Sequence, residues 1–220
     1  MAVPWWLSGG IVAANCLAAY TPKGAASLAA SYDNNAAPGN GLPDGTYDVT
    51  EGAALSWDAA TGWYDTSTGK YLVSALPGNT KPFTFAVRLA STKGAVARNI
   101  IQAANSAANG QTLTHINGSG LLRVERQGVL TVATSATALV DGADTVVIFT
   151  YSGVGAWAFY FNGVPGGSGT NNTSWVVTTT WVSKNVAGGG LSGSLKAFAK
   201  YSVALTAGEA ATLSAAMAAL

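Results

Sequence analysis

The chain has 220 residues, of which 49% are hydrophobic and only 10% charged, with a net charge of +1, one cysteine and one histidine. A charged fraction far below the usual ~25%, with charges nearly balanced, leaves no electrostatic footprint for nucleic acid or an anionic membrane. The sequence has no run of ~18 apolar residues that would cross a bilayer as a helix, Cys16 has no partner for an internal disulfide, and a single histidine without a CxxC pair offers no transition-metal site.

The N-terminal stretch MAVPWWLSGGIVAANCLAAY lacks the basic flank of a signal peptide and is broken by Pro4 and Gly9-Gly10, so it is read as mature protein. Trp5 and Trp6 are costly to leave wet and are expected to pack on this domain or on a neighbouring copy, an oligomer contact. A strand is expected over 15–20, where Cys16 sits as a buried thiol. Residues 23–58 are dominated by turn chemistry, with Pro38-Gly39, Pro43-Asp44-Gly45 and Glu51-Gly52. A helical turn near Ala25–Ala30 and a strand at Thr46–Val49 are the regular pieces expected there. Asp33, Asp44 and Asp48 lie in these loops, either as calcium ligands or as turn formers that cap their own backbone.

Short strands follow at Trp63-Tyr64 and Tyr71–Ser74. Lys81–Ala90 alternates cleanly, with Phe83, Phe85, Val87 and Leu89 on one face and Thr84, Ala86 and Arg88 on the other, the pattern of a half-buried antiparallel strand. Further strands are expected at 99–104, 112–116, 121–127, 129–134 and 138–140, with Glu125 paired to a neighbouring arginine. The strongest signal is TVVIFTYSGVGAWAFYFNGV (Thr145–Val164), in which two β-branched and aromatic runs flank a Gly-containing turn. Val147, Phe149 and Tyr151 share one face of its first strand, and Trp157, Phe159 and Phe161 share one face of its second. PGGSGTNNTS then reads as a glycine-rich loop, Trp175–Val182 and Ser194–Val203 as strands. Thr206 with Glu209 three residues later is a capping box, and Leu213, Met217 and Leu220 recur at helical spacing. Many short strands and one helix predict an all-β fold, a two-sheet antiparallel β-sandwich with a short C-terminal helix. It occupies 1–220 as one domain, with 1–14 as an N-terminal arm and 206–219 as the helix.

Three stretches carry a resemblance: FTFAVRLA (Phe83–Ala90), DGADTVVIFTYSGVGAWAFYFNGV (Asp141–Val164) and GSLKAFAKYSVALTAGEAATLSAAM (Gly193–Met217). In that order they resemble the concanavalin A-like lectin/glucanase superfamily, in its laminin G-like (pentraxin-type) branch, whose hairpin reads DGxWHHVAVTYDGxxxxLYVNGV. The resemblance implies a jelly-roll sandwich, and covers about half the chain. The N-terminal half also resembles the opening of such domains in virion-associated proteins of tailed phages. Calcium-binding members carry Asp-Glu where Lys196 and Ala197 stand here, so the resemblance does not support Ca²⁺ at Lys196, and no cofactor is expected.

Glycosidases of this fold need two carboxylates across one cleft. Glu51, Glu125 and Glu209 are far apart, and no Gly-x-Ser-x-Gly elbow is present, so no catalytic residue is assigned. Glycan contact is assigned to Trp175 and Trp181 with Asn171 and Asn172, and to Trp63 with Tyr64, since rings stack on sugar C–H faces and amides bond hydroxyls. The resulting expectation is a non-enzymatic decoration protein on the surface of a phage-like virion, made in the host cytoplasm. It would be partnered by itself, by other virion proteins and by host-surface glycans, with no nucleic acid and no membrane. A secreted or tail-borne carbohydrate-binding module and a degenerate glycoside hydrolase are the alternatives.

Overall fold

The computed structural model describes residues 3–53, 56–65, 71–76, 81–91, 98–103, 111–115, 118–126, 130–172, 180–182 and 192–220, with the side chains of 53, 65, 98–99, 102–103, 111–115, 126, 130 and 180–182 outside the description. In chain order the strands are β1 (Cys16–Tyr20), β2 (Thr50–Ala53), β3 (Ser56–Asp58), β4 (Gly62–Asp65), β5 (Tyr71–Ser74), β6 (Phe83–Ser91), β7 (Arg98–Ala103) and β8 (Gln111–His115). They continue as β9 (Leu121–Arg126), β10 (Leu130–Ala138), β11 (Asp144–Tyr151), β12 (Ala156–Phe161), β13 (Val164–Thr170), β14 (Thr180–Val182) and β15 (Gly193–Tyr201). One α-helix, α1 (Ala207–Ala218), closes the chain.

Among the described residues the strands form two antiparallel sheets, β13-β12-β11-β6-β15-β4-β3 and β10-β9-β8-β7-β14-β5-β2. The fold is the expected two-sheet jelly-roll-like sandwich. β1 joins the first sheet on the edge of β15 that β4 also uses, β1 along Phe198–Tyr201 and β4 along Gly193–Leu195.

The hairpin's parity sets the core. Val147, Phe149 and Tyr151 pair directly with Phe161, Phe159 and Trp157 on one side, and with Val87, Phe85 and Phe83 on the other. These rings interlock, Phe149 with Phe159 at 4.9 Å and Phe83 with Tyr151 edge-on at 5.6 Å, which favours one register over its slipped alternatives. Lys200, 1% exposed, points the same way and holds its ammonium 5.5 Å from the Phe85 ring centre. Burial pulls that ammonium down to about 7.

The first sheet is covered on its other face as well, so β6 is not half-buried as its alternation suggests. Val146, Ile148, Ala86, Ala197 and Ala199 lie beneath Leu213 and Met217 of α1 and beneath Trp5 and Ile11 of the N-terminal arm. The polar residues of β6 on this face tie down its cover. Thr84 Oγ1 donates to Val203 O (2.8 Å) and accepts from Leu205 N (3.1 Å), anchoring the lead-in to α1. Arg88 donates through Nη1 to Met217 O in the last turn of α1 (3.1 Å), a carbonyl that otherwise accepts the Leu220 N–H at 3.3 Å, and through Nε and Nη2 to Asp144. Lys196 Nζ also reaches Asp144, at 2.9 Å. Burial alone would raise the Asp144 carboxyl, but the hydrogen bonds and charges of Arg88 and Lys196 outweigh it and hold it below the usual range.

Three expectations are corrected. The glycine-rich stretch after the hairpin is strand β13, because missing side chains make room for rings: a Cβ on Gly166 would lie 2.2 Å from Phe161 Cδ2, and one on Gly169 2.7 Å from Trp157 Cζ2. Residues 46–49 form no strand, because their backbone groups are already paired. Thr46 O accepts from Asn34, Tyr47 O from Tyr20 and Ser74, and Val49 N donates to Tyr32 O, so pairing begins only at Thr50. The helical turn expected near Ala25–Ala30 is a 3-10 turn at Ala30–Tyr32.

The capping box of α1 is formed as expected, Thr206 with Glu209. On the buried face of the helix, Ser214 is 2% exposed and its hydroxyl has no hydrogen-bond partner among the described residues. Ser214→Ala removes that unpaired group and raises helix propensity, so it is expected to stabilise the domain by about 1 kcal/mol in urea unfolding; a lowered midpoint would contradict this.

Candidate functional site

The residues assigned to glycan contact do not converge. Trp63 is fully buried, donates its indole N–H to Ser31 Oγ (2.8 Å) and packs on Tyr20 and Tyr32. Parity along β4 turns Trp63 into the core, leaving Tyr64 on the opposite face and half-buried. Trp63 therefore offers no face to a sugar. Asn171 donates to Val132 O and its carbonyl accepts the Tyr151 hydroxyl, while the carbonyl and Oδ1 of Asn172 accept from Lys81 Nζ at 3.2 and 3.3 Å. Both asparagines bond the end of β13 to its neighbours. Register places Trp63 near Leu89 and Asn171 near Phe83, six residues apart on β6, or about 20 Å at ~3.3 Å per residue. Trp181 has its backbone between β5 and β7, its side chain outside the description, and Trp175 lies outside the described residues.

Of the two tryptophans expected at an oligomer contact, Trp5 is 9% exposed and packs within its own chain, its indole N–H on Thr21 Oγ1 (3.1 Å). Trp6 meets it edge-on at 5.6 Å, is half-buried, and accepts the Tyr201 hydroxyl at its carbonyl. The pair covers the outer face of the first sheet. Cys16 is wholly buried, and burial pushes its thiol up to about 12, against the pull of its hydrogen bond to Ala18 O. Glu125 pairs with Arg123 at 2.7 Å.

What the fold does bring together is the set of loop aspartates. Asp33, Asn34, Asn35, Ala37, Asp44, Gly45 and Asp48 line a cleft of about 380 Å³. Its architect is Asn34, 3% exposed. The Asn34 Oδ1 accepts from Ala19 N (3.0 Å) and Ala36 N (3.1 Å), and Nδ2 donates to Leu17 O (3.1 Å) and Thr46 O (2.8 Å). Its backbone N–H donates to Asp48 Oδ1 at 2.7 Å. One amide thus joins strand β1 to both walls of the loop. Asp48 acts across 14 residues and not as a local turn cap. Asp33 and Asp44 are exposed, and their carboxylates accept no hydrogen bond among the described residues. Partial burial of the Asp33 carboxyl, and then the charges of Asp48 and Asp44, hold it above the usual carboxylate range.

The family resemblance raises the question of calcium at Lys196. The Lys196 ammonium stands against Asp144 where a ligand carboxylate would be needed, and no group of three His, Cys, Asp or Glu among the described residues has metal-binding spacing.

No family model matches this chain, and no curated protein matches it. Solved structures do. The ligand-binding domain of botulinum neurotoxin serotype D, in complex with N-acetylneuraminic acid, superposes with a TM-score of 0.68 at 13% identity, covering 94% of this chain and 52% of that one. Domain 4 of AbnA, a GH43 extracellular arabinanase from Geobacillus stearothermophilus, in complex with arabinotriose, gives 0.63 at 16% identity, covering 91% of this chain and 98% of that one. A Trypanosoma rangeli sialidase in complex with the inhibitor DANA gives 0.59 at 13% identity over 76% and 29%. The chain spans about half the length of the neurotoxin domains it matches. At these identities the likeness establishes the fold, a jelly-roll-like β-sandwich.

Asn34→Ala leaves the Ala19 and Ala36 N–H groups and the Thr46 carbonyl without their side-chain partner, while Leu17 O keeps the Asn40 amide. It is expected to cost about 3 kcal/mol, read as a lowered thermal midpoint; a loss below about 0.5 kcal/mol would show that the amide does not hold the loop.

Proposed function

We propose that this domain is a non-catalytic glycan-binding module whose sugar site is the cleft between residues 33–37 and 44–48. The observation that carries the reading is the cleft itself, a sugar-sized concavity lined by three carboxylates and two amides on loops fixed to a rigid sheet. The fold supports it by analogy, since neighbours of this architecture include a neurotoxin ligand-binding domain holding N-acetylneuraminic acid and an arabinanase domain holding arabinotriose. Within that architecture we read the chain as laminin G-like on its three family-like stretches. We place it on the exterior of a virion-like particle, a setting supported by its low-charge composition and by the phage-type resemblance of its N-terminal half. Repetition on such a particle would raise a weak single-site affinity by ~10²–10⁴ where geometry allows several sites to engage.

A glycan array followed by calorimetry on the intact chain tests the reading. Binding of at least one oligosaccharide is expected, in the micromolar to millimolar range typical of single exposed sites, with no reducing ends released. Asp33→Ala with Asp44→Ala is expected to weaken it at least fivefold without moving the melting temperature, since neither carboxylate supports the loop. A blank array at millimolar ligand, or affinity indifferent to the double variant, would rule out the cleft.

A further inference from the structure

We propose that the cleft selects sugars that donate hydrogen bonds, neutral polyols and amino sugars, and turns away acidic sugars such as sialic and uronic acids. The inference rests on the glycan reading above and goes beyond it by naming the ligand class. It follows from an inventory of donors and acceptors.

The side-chain donors of the lining are the two amides. Both Asn34 Nδ2 protons are directed at carbonyls of this chain, Leu17 O and Thr46 O. Asn35 Nδ2 is directed at Ala19 O and Asp33 O. The Asn34 backbone N–H is held by Asp48, and the Asn35 and Ala36 N–H groups by Ala19 O and Asn34 Oδ1. No lysine, arginine or histidine belongs to the lining. The acceptors are in the opposite state: Asp33 and Asp44 accept nothing among the described residues. An ionised carboxylate only accepts, so the side-chain groups left to a ligand ask for O–H or N–H.

Sugar hydroxyls meet that demand, and an ammonium meets it with charge as well. A sialic or uronic carboxylate adds a fourth negative charge beside three, with no side-chain donor to receive it. The Asp33 carboxyl is held above its usual range first by partial burial and then by the charges of Asp48 and Asp44, so a further anion would join carboxylates that already oppose one another. The charge of the cleft therefore turns away the class of ligand that the serotype D neurotoxin domain holds in its crystal, although the folds agree.

The test is calorimetry on the intact chain at low salt with three probes: arabinotriose, a glucosamine trimer and trigalacturonic acid. The glucosamine trimer or arabinotriose is expected to bind at least tenfold more tightly than trigalacturonic acid. Asp33→Asn with Asp44→Asn is expected to narrow that ratio, as is acidification, since protonating Asp33 removes a charge and supplies a donor. Added salt is expected to weaken the glucosamine trimer most. Trigalacturonic acid binding as tightly as either other probe, with an affinity that the double variant alters, would overturn the selectivity and leave the glycan site standing. Binding of any probe that ignores the double variant would place the sugar elsewhere, and no binding by any of the three would remove both readings.

Discussion

The buried carboxamide of Asn34 is the interaction on which the rest of the molecule's exposed architecture depends. A polar side chain that is 3% exposed is tolerated only when its hydrogen-bonding groups are met, and here both ends are met twice, by backbone of β1 and of the loop. The consequence is that the stretch 23–52, rich in alanine, glycine, asparagine, aspartate and proline, which by composition belongs to wandering loop, is held against the edge of a sheet. Tyr47, at φ 66°, pays for this with a backbone conformation that bulky residues seldom adopt. Its carbonyl is held from below by the Tyr20 hydroxyl and Ser74 Oγ. The adjacent Asp48 is left facing the cleft.

A second constraint shapes the opposite side. Alanines at 86, 197 and 199 on the outer face of the first sheet leave shallow relief, so the helix and the N-terminal arm settle closely on it. With only a tenth of its residues charged, the chain places several charges where they join elements. Arg88 links the centre of the sheet to the last turn of the helix, Asp144 gathers Arg88 and Lys196, and Lys23 reaches the carbonyl of Leu220. The lack of charge noted in the composition is thus partly a division of labour. Core and cover are apolar, ion pairs mark junctions, and Asp33 and Asp44 of one loop are left to solvent.

The fold was largely legible from residue order, and the site was not. Alternation in the hairpin and in β6 set the register of the core, because a one-residue slip would invert Phe85, Phe149 and Phe159 together. The capping box at Thr206 marked the helix start to the residue. The same alternation is silent on whether the second face of a strand meets water or a helix, so Arg88 read as solvent-facing. Glycines read as loop because nothing local announces that Phe161 and Trp157 lie over them. Tryptophan is an ambiguous sign of sugar binding, and Trp63 shows why: indole suits a core at least as well as a pyranose. The three aspartates were visible as residues. Their convergence was not, since it depends on Asn34 bonding 15 and 17 residues back to Ala19 and Leu17.

A surface built by a long-range latch, donor-poor and acceptor-rich, on a scaffold also used by sugar-holding domains is the basis of the functional account. The most direct test is to follow the backbone and side-chain amide resonances of the isotope-labelled chain while a neutral oligosaccharide is added. The account predicts that shifts concentrate in residues 33–37 and 44–48 and include the Asn34 carboxamide, while Lys81, Asn171 and Asn172 at the far end of the sheet stay still. Shifts centred on that far end, with 33–48 unmoved at saturation, would contradict it.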